Sequence, residues 1–389
     1  MIHTPIIGIT AEWNPFHLGH AAMIQEIKEQ FPTASLVAVM SGSFVQRGEP
    51  ALFDKWSRTQ WALEAGVHAV FELPVLYALQ SADIFSSSAV TLLSHTGASH
   101  IAFGTESLSA DELKEAARWA VSPAYQDAFH QSLKTGISYG EAAHQAMAVF
   151  SPYLADELAK PNNLLGFRYT ETILRHWYPM DIFVIHRDME HNISATDARE
   201  ELQRHHTTDL LPSYAKEEAA QAMAAGCYSD MTRYEDSCFL HSRRLSLKDL
   251  QDSGLFREGL ENKWYMESGK PSYRSMLDSI KSKRYLYSRL KRIGAQLLLS
   301  PAGKLSPFAH PIPPGYLRLL GLQKERSGLL RTMTLPVFTS TAKALRTLPS
   351  DQKEIYRLDM QATDLRAYTQ ASESYRSGRE DFYYSPVIV

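Results

Sequence analysis

The first half of the chain alternates short β-rich apolar runs with stretches whose apolar residues recur at helical spacing. Ile6-Ile7-Gly8-Ile9-Thr10 reads as a strand, and Phe16 to Phe31 follows as a helix carrying Ala22, Met23, Ile24, Ile27 and Phe31. Leu36 to Met40 is a second strand, ended by the loop Ser41-Gly42-Ser43. Lys55 to Ala65 predicts a helix, Ala69 to Leu73 a third strand, Ala82 to His95 a helix, and His100 to Phe103 a fourth strand. Such an order predicts parallel strands joined by crossover helices, a doubly wound α/β sheet.

From Ala110 to Leu174 the pattern is mostly helical, with a break expected at Pro161, and Asp181 to Ile185 reads as a last strand. Beyond about residue 205 the strands are expected to stop and long helical patterns take over. The predicted organisation is therefore an α/β domain over residues 1–205 and a mainly helical region over 206–389. Pro301, Pro307, Pro311, Pro313 and Pro314 punctuate a loop-rich stretch within the second part. No internal repeat or low-complexity tract is visible.

Composition narrows the class. The chain has 389 residues, 44% of them hydrophobic, and a formal net charge of −3. That excludes a uniformly basic chromatin-type protein and a strongly acidic disordered chain, but it leaves room for a local basic patch. Two cysteines, Cys227 and Cys238, are too few for a disulfide framework or a four-thiolate zinc site. The most apolar long stretch, Ala62 to Leu79, carries Glu64, His68, Glu72 and Pro74, which makes a poor membrane span. Met1 to Pro5 carry no cationic leader, so the cytoplasm is the default compartment.

The candidate chemistry lies directly after the first strand, in Glu12-Trp13-Asn14-Pro15-Phe16-His17-Leu18-Gly19-His20. In an open α/β sheet, ligands bind beyond the carboxyl ends of strands, where helix N-termini point. His17 and His20, three apart, share one face of the first helical turn. Backbone N–H groups and the helix dipole there favour phosphate, and two imidazoles add donors for charge developing on phosphoryl oxygens. Gly19 would let a nucleotide approach the backbone closely. The competing reading is an incidental pair, or half a metal site. The absence of an acidic ligand at i+1 or i+4 from His20 argues against a zincin-like centre. A second piece, Ile193-Ser194-Ala195-Thr196-Asp197-Ala198-Arg199, offers Ser194 or Thr196 as a helix cap and Arg199 as a phosphate contact. Alone, it is equally an ordinary N-cap with a surface arginine. Lys55 and Arg58 are weaker phosphate candidates, at least as well read as helix-surface cations.

His17-Leu18-Gly19-His20 resembles the HxGH signature of the nucleotidyltransferase superfamily, whose members bind ATP and cleave it between the α- and β-phosphates. Three further segments narrow the resemblance: Met40 to Ala51, Phe103-Gly104-Thr105-Glu106, and Lys160-Pro161-Asn162-Asn163-Leu164-Leu165-Gly166. With Asn14-Pro15-Phe16-His17, they resemble the bacterial tRNA(Met) cytidine acetate ligase family over nearly the whole chain. The resemblance implies a Rossmann-like nucleotidyltransferase domain followed by a mainly helical tRNA-binding region. It implies activation of acetate with ATP and Mg²⁺, then acetylation of N4 of the wobble cytidine of elongator tRNA(Met).

The resemblance carries over residue by residue. Ile7, Gly8, Ile9, Thr10, Ala11, Glu12, Trp13, Asn14, Pro15, Phe16, His17, Leu18, Gly19 and His20 match the ATP-binding strand and turn, with His17 and His20 as the catalytic pair. Gly104, Asn162 and Arg187 match a glycine, an asparagine and an arginine of the nucleotide site. Ser194, Thr196 and Arg199 match the Ser/Thr motif. Trp13 stands where tyrosine is usual, and Ala195 interrupts the hydroxyl run.

The RNA candidate is Lys281 to Arg292, with Lys281, Lys283, Arg284, Arg289, Lys291 and Arg292 and no acid. Leu286, Leu290 and Ile293 are expected to seat one face on the core, while the cations meet phosphates and Tyr285 and Tyr287 stack on unpaired bases. A solvated helix face with core tyrosines is the competing reading. A small-molecule nucleotidyltransferase and a catalytically silent RNA-binding protein on the same fold stay open. A class I aminoacyl-tRNA synthetase should carry a KMSKS-type loop, and Ile280-Lys281-Ser282-Lys283-Arg284 lacks its first lysine.

Overall fold

In a computed structural model of the chain, which describes residues 4–186, 193–282 and 284–389, the first half folds as its pattern predicts. Strands β1 (Ile6–Ala11), β2 (Ser35–Ser41), β5 (Ala69–Leu73), β6 (His100–Thr105) and β7 (Asp181–His186) pair in parallel. Between β2 and β5, the two-residue strands β3 (Phe44–Val45) and β4 (Glu49–Pro50) form a separate antiparallel hairpin. The continuous apolar runs are those of strands covered on both faces. Leu36, Ala38 and Met40 of β2 enter one core cluster, while Val37 and Val39 enter the other.

The chain winds from β1 outward through β2 to β5, then crosses back to place β6 and β7 on the other side of β1. The order reverses between β1 and β6. Neighbouring crossovers there lie on opposite faces, which opens a crevice at the carboxyl ends of both strands. The turn after β1 opens into that crevice.

Beyond residue 205 the expectation of no further strand fails. After seven helices between Ala195 and Leu298, the chain returns as β8 (Leu317–Leu322), antiparallel to β5, with β9 (Val337–Phe338) and β10 (Val387–Ile388) each pairing β8 in parallel. All six residues of β8 are buried, so its Leu-Arg-Leu-Leu-Gly-Leu run shows no in–out alternation, and the prolines before it read as loop. The break expected at Pro161 is present: the preceding helix ends at Glu157, and Pro161 is the first residue of the next, Pro161–His176, because a ring with no N–H costs nothing where the N–H has no helical partner.

Candidate active site

The turn between β1 and the helix Leu18–Gln30 is held from both sides. Trp13 takes a left-handed backbone (φ 43°) and the Asn14–Pro15 peptide is cis. Asn14 Oδ1 accepts the Leu52 amide at 2.8 Å. Buried Phe16 packs edge-on to buried Trp13, with ring centroids 5.5 Å apart. These anchors fix where the next residue begins the helix.

His17 is that helix's N-cap. Its Nδ1 accepts the Gly19 amide at 3.1 Å, and His20 Nδ1 accepts the His17 amide at 3.2 Å. This is a reciprocal capping box built from two imidazoles. The rings stack with centroids 3.7 Å apart. Because both Nδ1 atoms accept, a neutral ring at either position carries its proton on Nε2, so the backbone sets the tautomer. A Cβ at position 19 would lie 3.0 Å from His17 Cε1. Gly19 therefore clears space for the His17 ring, a role the sequence alone did not disclose. Gly8 is likewise a packing glycine, since a Cβ there would meet Leu93 at 2.9 Å.

The second motif closes on the first. Ser194 Oγ accepts the Asp197 amide at 3.1 Å and caps the helix Ala195–His205. Arg199 donates to the Asn14 carbonyl and, at 3.1 Å, to Thr196 Oγ1. The Ile193 carbonyl lies 3.8 Å from where a Gly19 Cβ would stand. Burial lowers the Arg199 pKa from its usual value. Arg187 lies outside the described residues.

On the other side of β1, Gly104 pairs with Ile185 near the carboxyl end of β6. Glu106 follows, and its carboxylate accepts from the Asn162 amide (3.0 Å), Asn162 Nδ2 (2.8 Å) and the Asn163 amide (2.8 Å). The Asn162 side chain is thus engaged with a carboxylate at the helix start. Asn163, which sequence reasoning passed over, returns the contact by accepting from the amides of Glu106 and Ser107 at 3.1 and 3.3 Å.

Lys55 and Arg58 are not surface cations; both are fully buried. Arg58 spreads its guanidinium over five backbone carbonyls. Nη1 donates to Glu12 (2.7 Å) and Ser41 (3.0 Å), Nη2 to Gly42, and Nε to Phe53 (3.2 Å) and Asp54 (3.3 Å). It therefore ties the turn after β1 to the carboxyl end of β2. Burial, then the nearby Arg366 charge, lowers its pKa to about 10, so it stays a cation at neutral pH. Glu12, half-buried in the same turn, accepts from the Gln46 amide at 2.6 Å, and burial raises its pKa above the usual carboxylate value. Lys55 sits in an ion cluster beside these groups, 2.9 Å from Glu72, 2.8 Å from Asp381 and 3.2 Å from Thr363 Oγ1.

A histidine capping box at a sheet's switch point, with an arginine clasped over its turn, is the arrangement that the family comparison then meets. The sequence matches the HIGH Nucleotidyl Transferase family over residues 4–381. It is 30% identical to the tRNA(Met) cytidine acetate ligase of Bacillus subtilis, with 97% of this chain and 99% of that protein covered. The chain belongs to the tRNA(Met) cytidine acetate ligase family of HIGH nucleotidyl transferases. The namesake ligase of Fervidobacterium nodosum is 29% identical across 98% of this chain and 99% of its own length. The crystal structure of Thermotoga maritima TmcAL bound with alpha-thio ATP superposes with a TM-score of 0.91, at 28% identity over 99% of each chain.

The second candidate surface of this family member departs from its sequence reading. Leu290 and Ile293 are buried as expected, but Leu286 is 61% exposed. The helix begins only at Tyr287, because Ser282 and Tyr285 exchange hydrogen bonds in a turn that breaks the helical phase. Lys291 pairs with Glu49, and Arg284 pairs with Glu258 at 2.7 Å. Arg289 stacks over Tyr285 at 5.5 Å. Burial lowers the Arg292 pKa to about 10. Lys281 is exposed, and Lys283 lies outside the described residues. Among the described residues no helix is long and apolar enough to cross a membrane, and no group of three or more His, Cys, Asp or Glu could hold a metal ion.

Proposed function

We propose that this chain is an ATP-dependent acetate ligase that acetylates N4 of the wobble cytidine of elongator tRNA(Met) in the cytoplasm. The observation that carries the reading is the stacked His17–His20 capping box at the helix N-terminus of the β1/β6 switch point, clasped by Arg199. Acetate attacks the α-phosphorus of ATP and pyrophosphate leaves. The cytidine N4 amine then attacks the acetyl carbonyl carbon, AMP departs and the amine loses a proton. Neither step needs a protein nucleophile, so positioning and electrostatic stabilisation supply the acceleration.

His17 and His20 are assigned to the phosphates, with Arg199 and Arg187 as further cationic contacts. Gly104 and Asn162 are placed at the nucleotide. Mg²⁺ enters this reading with the ATP triphosphate, offsetting the charge on ATP and pyrophosphate. ATP binding is assigned to the sheet built mainly from residues 1–205, and tRNA binding to the helices after 206.

Two measurements test the proposal. Total tRNA incubated with the protein, ATP and labelled acetate should yield acetylcytidine by mass analysis only when all components are present. His20→Ala should abolish acetate-dependent ATP–pyrophosphate exchange while the protein remains folded. Normal exchange by the folded variant would remove His20 from the mechanism.

A further inference from the structure

Three helices after residue 230 enclose an open cavity of about 400 Å³, lined by Glu235, Arg274, Asp278, Lys281, Tyr287 and Lys291. The volume is within the range of ordinary ligand sites, roughly 300–1,000 Å³. Arg274 and Asp278 lie four apart on the helix Tyr273–Ile280, and Tyr287 and Lys291 lie four apart on Tyr287–Leu298, so each pair shares a helix face. Glu235 projects from the third helix, Met231–Arg244. Beneath them Tyr234, Cys238 and Tyr273 are buried. A Cβ on Gly294 would come within 1.8 Å of the Tyr273 hydroxyl, so the helices forming the floor are packed at close range.

The cavity is also locked to the nucleotide fold. Lys291 pairs with Glu49 of the β3–β4 hairpin. Gly48, at φ +81°, lies so close that a Cβ would stand 2.5 Å from the Arg292 backbone nitrogen. The Tyr234 hydroxyl donates to the Gly48 carbonyl at 2.8 Å. Glu49 in turn is close enough to Arg199 to act on its charge. The lining therefore stands one ion pair away from the arginine that clasps the histidine turn.

Its chemistry selects a class of ligand. Two carboxylates disfavour a simple anion, three cations disfavour a simple cation, and a polar rim gives little to an apolar metabolite. A nucleotide combines a phosphate with a flat neutral base that carries N–H donors. We infer that this cavity receives one nucleotide of the RNA substrate next to the reacting cytidine. Its phosphate lies against Arg274 and Lys281, its base against Tyr287, and Glu235 and Asp278 accept from the exocyclic amino group. Burial keeps the Glu235 pKa above the usual carboxylate value, with Lys291 and Arg274 opposing that rise. The inference rests on the RNA-acetylating reading above.

The test uses the full chain and a synthetic anticodon stem-loop of elongator tRNA(Met), with binding read by fluorescence anisotropy. Arg274→Ala/Lys281→Ala should weaken binding roughly tenfold or more, and should lower the salt slope by about 0.7, the value for one single-stranded phosphate contact. Glu235→Gln should weaken binding of a loop carrying cytidine or adenosine at the flanking position more than one carrying uridine. Lys248→Ala, an exposed lysine paired with Asp252, should leave affinity within about twofold, since one screened surface charge contributes little. Equal affinity of the wild type and the double variant, or equal losses for the double variant and Lys248→Ala, overturns the site. Displacement of the stem-loop by CMP at equal concentration overturns the RNA assignment in favour of a free nucleotide. Exchange with acetate and ATP alone reports on the ligase chemistry, so a failed ligase reading and a failed cavity appear in different measurements.

Discussion

Two sets of cations occupy this protein in opposite ways. Lys55, Arg58, Arg318 and Arg366 are buried under the nucleotide fold. Every one of them is surrounded: Lys55 and Arg318 by Glu72 and Asp381, and Arg58 and Arg366 by backbone carbonyls. Lys281, Arg284 and Arg289, in the helical region after residue 230, stay at least partly in water. Sequence reasoning offered Lys55 and Arg58 of the first set as weaker phosphate contacts and the second set as RNA contacts, and made no distinction of burial between them. Residue type alone could not separate them, because a buried cation is defined by partners elsewhere in the chain. The buried set shapes the site, and the exposed set remains available to a ligand.

The comparison breaks most severely at Asp381. It compensates Lys55 and Arg318 together, leaving Glu72 as their one shared ion-pair partner among the described residues if it is neutralised. Removing one partner from a buried charge group is costly because the remaining charges stay desolvated. Asp381→Asn should therefore lose about 3–5 kcal/mol of unfolding free energy in urea at pH 7. Burial pushes the Asp381 carboxyl up, but Lys55 and then Arg318 outweigh it and hold it below the usual carboxylate range. A carboxyl depressed by folding stabilises above its unfolded pKa, near 3.9, and loses that contribution as pH falls toward its folded value. The wild-type excess over the variant should thus persist at neutral pH and shrink only in acid. A loss under about 1 kcal/mol would place Asp381 among screened surface charges.

Arg58 sharpens the comparison at the site itself. Arg58→Lys keeps a cation but replaces a planar fork serving five carbonyls with one ammonium bearing three donors. At least two carbonyls lose their donor, and an orphaned buried acceptor costs about 1–3 kcal/mol, so a net loss near 2 kcal/mol is expected in urea. The turn after β1 should lose its tie to β2, raising the KM for ATP in pyrophosphate exchange more than it lowers kcat. A variant with wild-type KM would show that charge alone, without the fork, maintains the cradle.

What was legible follows the range of the interactions. The pairing of His17 with His20 on one helical turn joins neighbours in sequence, as does the Ser194 cap three residues from Asp197, and both could be anticipated. The Lys55–Thr363 contact joins residues 308 positions apart, and Arg366 reaches Ala51 across 315. No local pattern records either. Strand β8 was missed for a related reason: a short apolar run buried on both faces looks the same whether it pairs with a sheet or lies in a helix. Leu286 shows the converse error, a helical phase extended by arithmetic through a turn that a serine hydroxyl closes.

The smallest expected effect falls on Lys281, and it decides whether an exposed cation of this region serves a ligand and not the fold. Lys281 is an exposed cation at the C-terminal end of the helix Tyr273–Ile280. In water an ammonium keeps most of its hydration, so deleting it leaves no desolvated partner behind. Lys281→Ala should change unfolding free energy by no more than about 0.5 kcal/mol, against several for the buried cluster. Its cost should appear instead in RNA affinity, and should fade as salt rises, because released counterions and not packing drive that contact. Lys55 and Lys281 would then differ tenfold or so in stability effect, as burial against exposure dictates. A Lys281→Ala loss above about 1 kcal/mol would mean that this lysine, too, is held by the fold, and the division between shaping and binding cations would not stand.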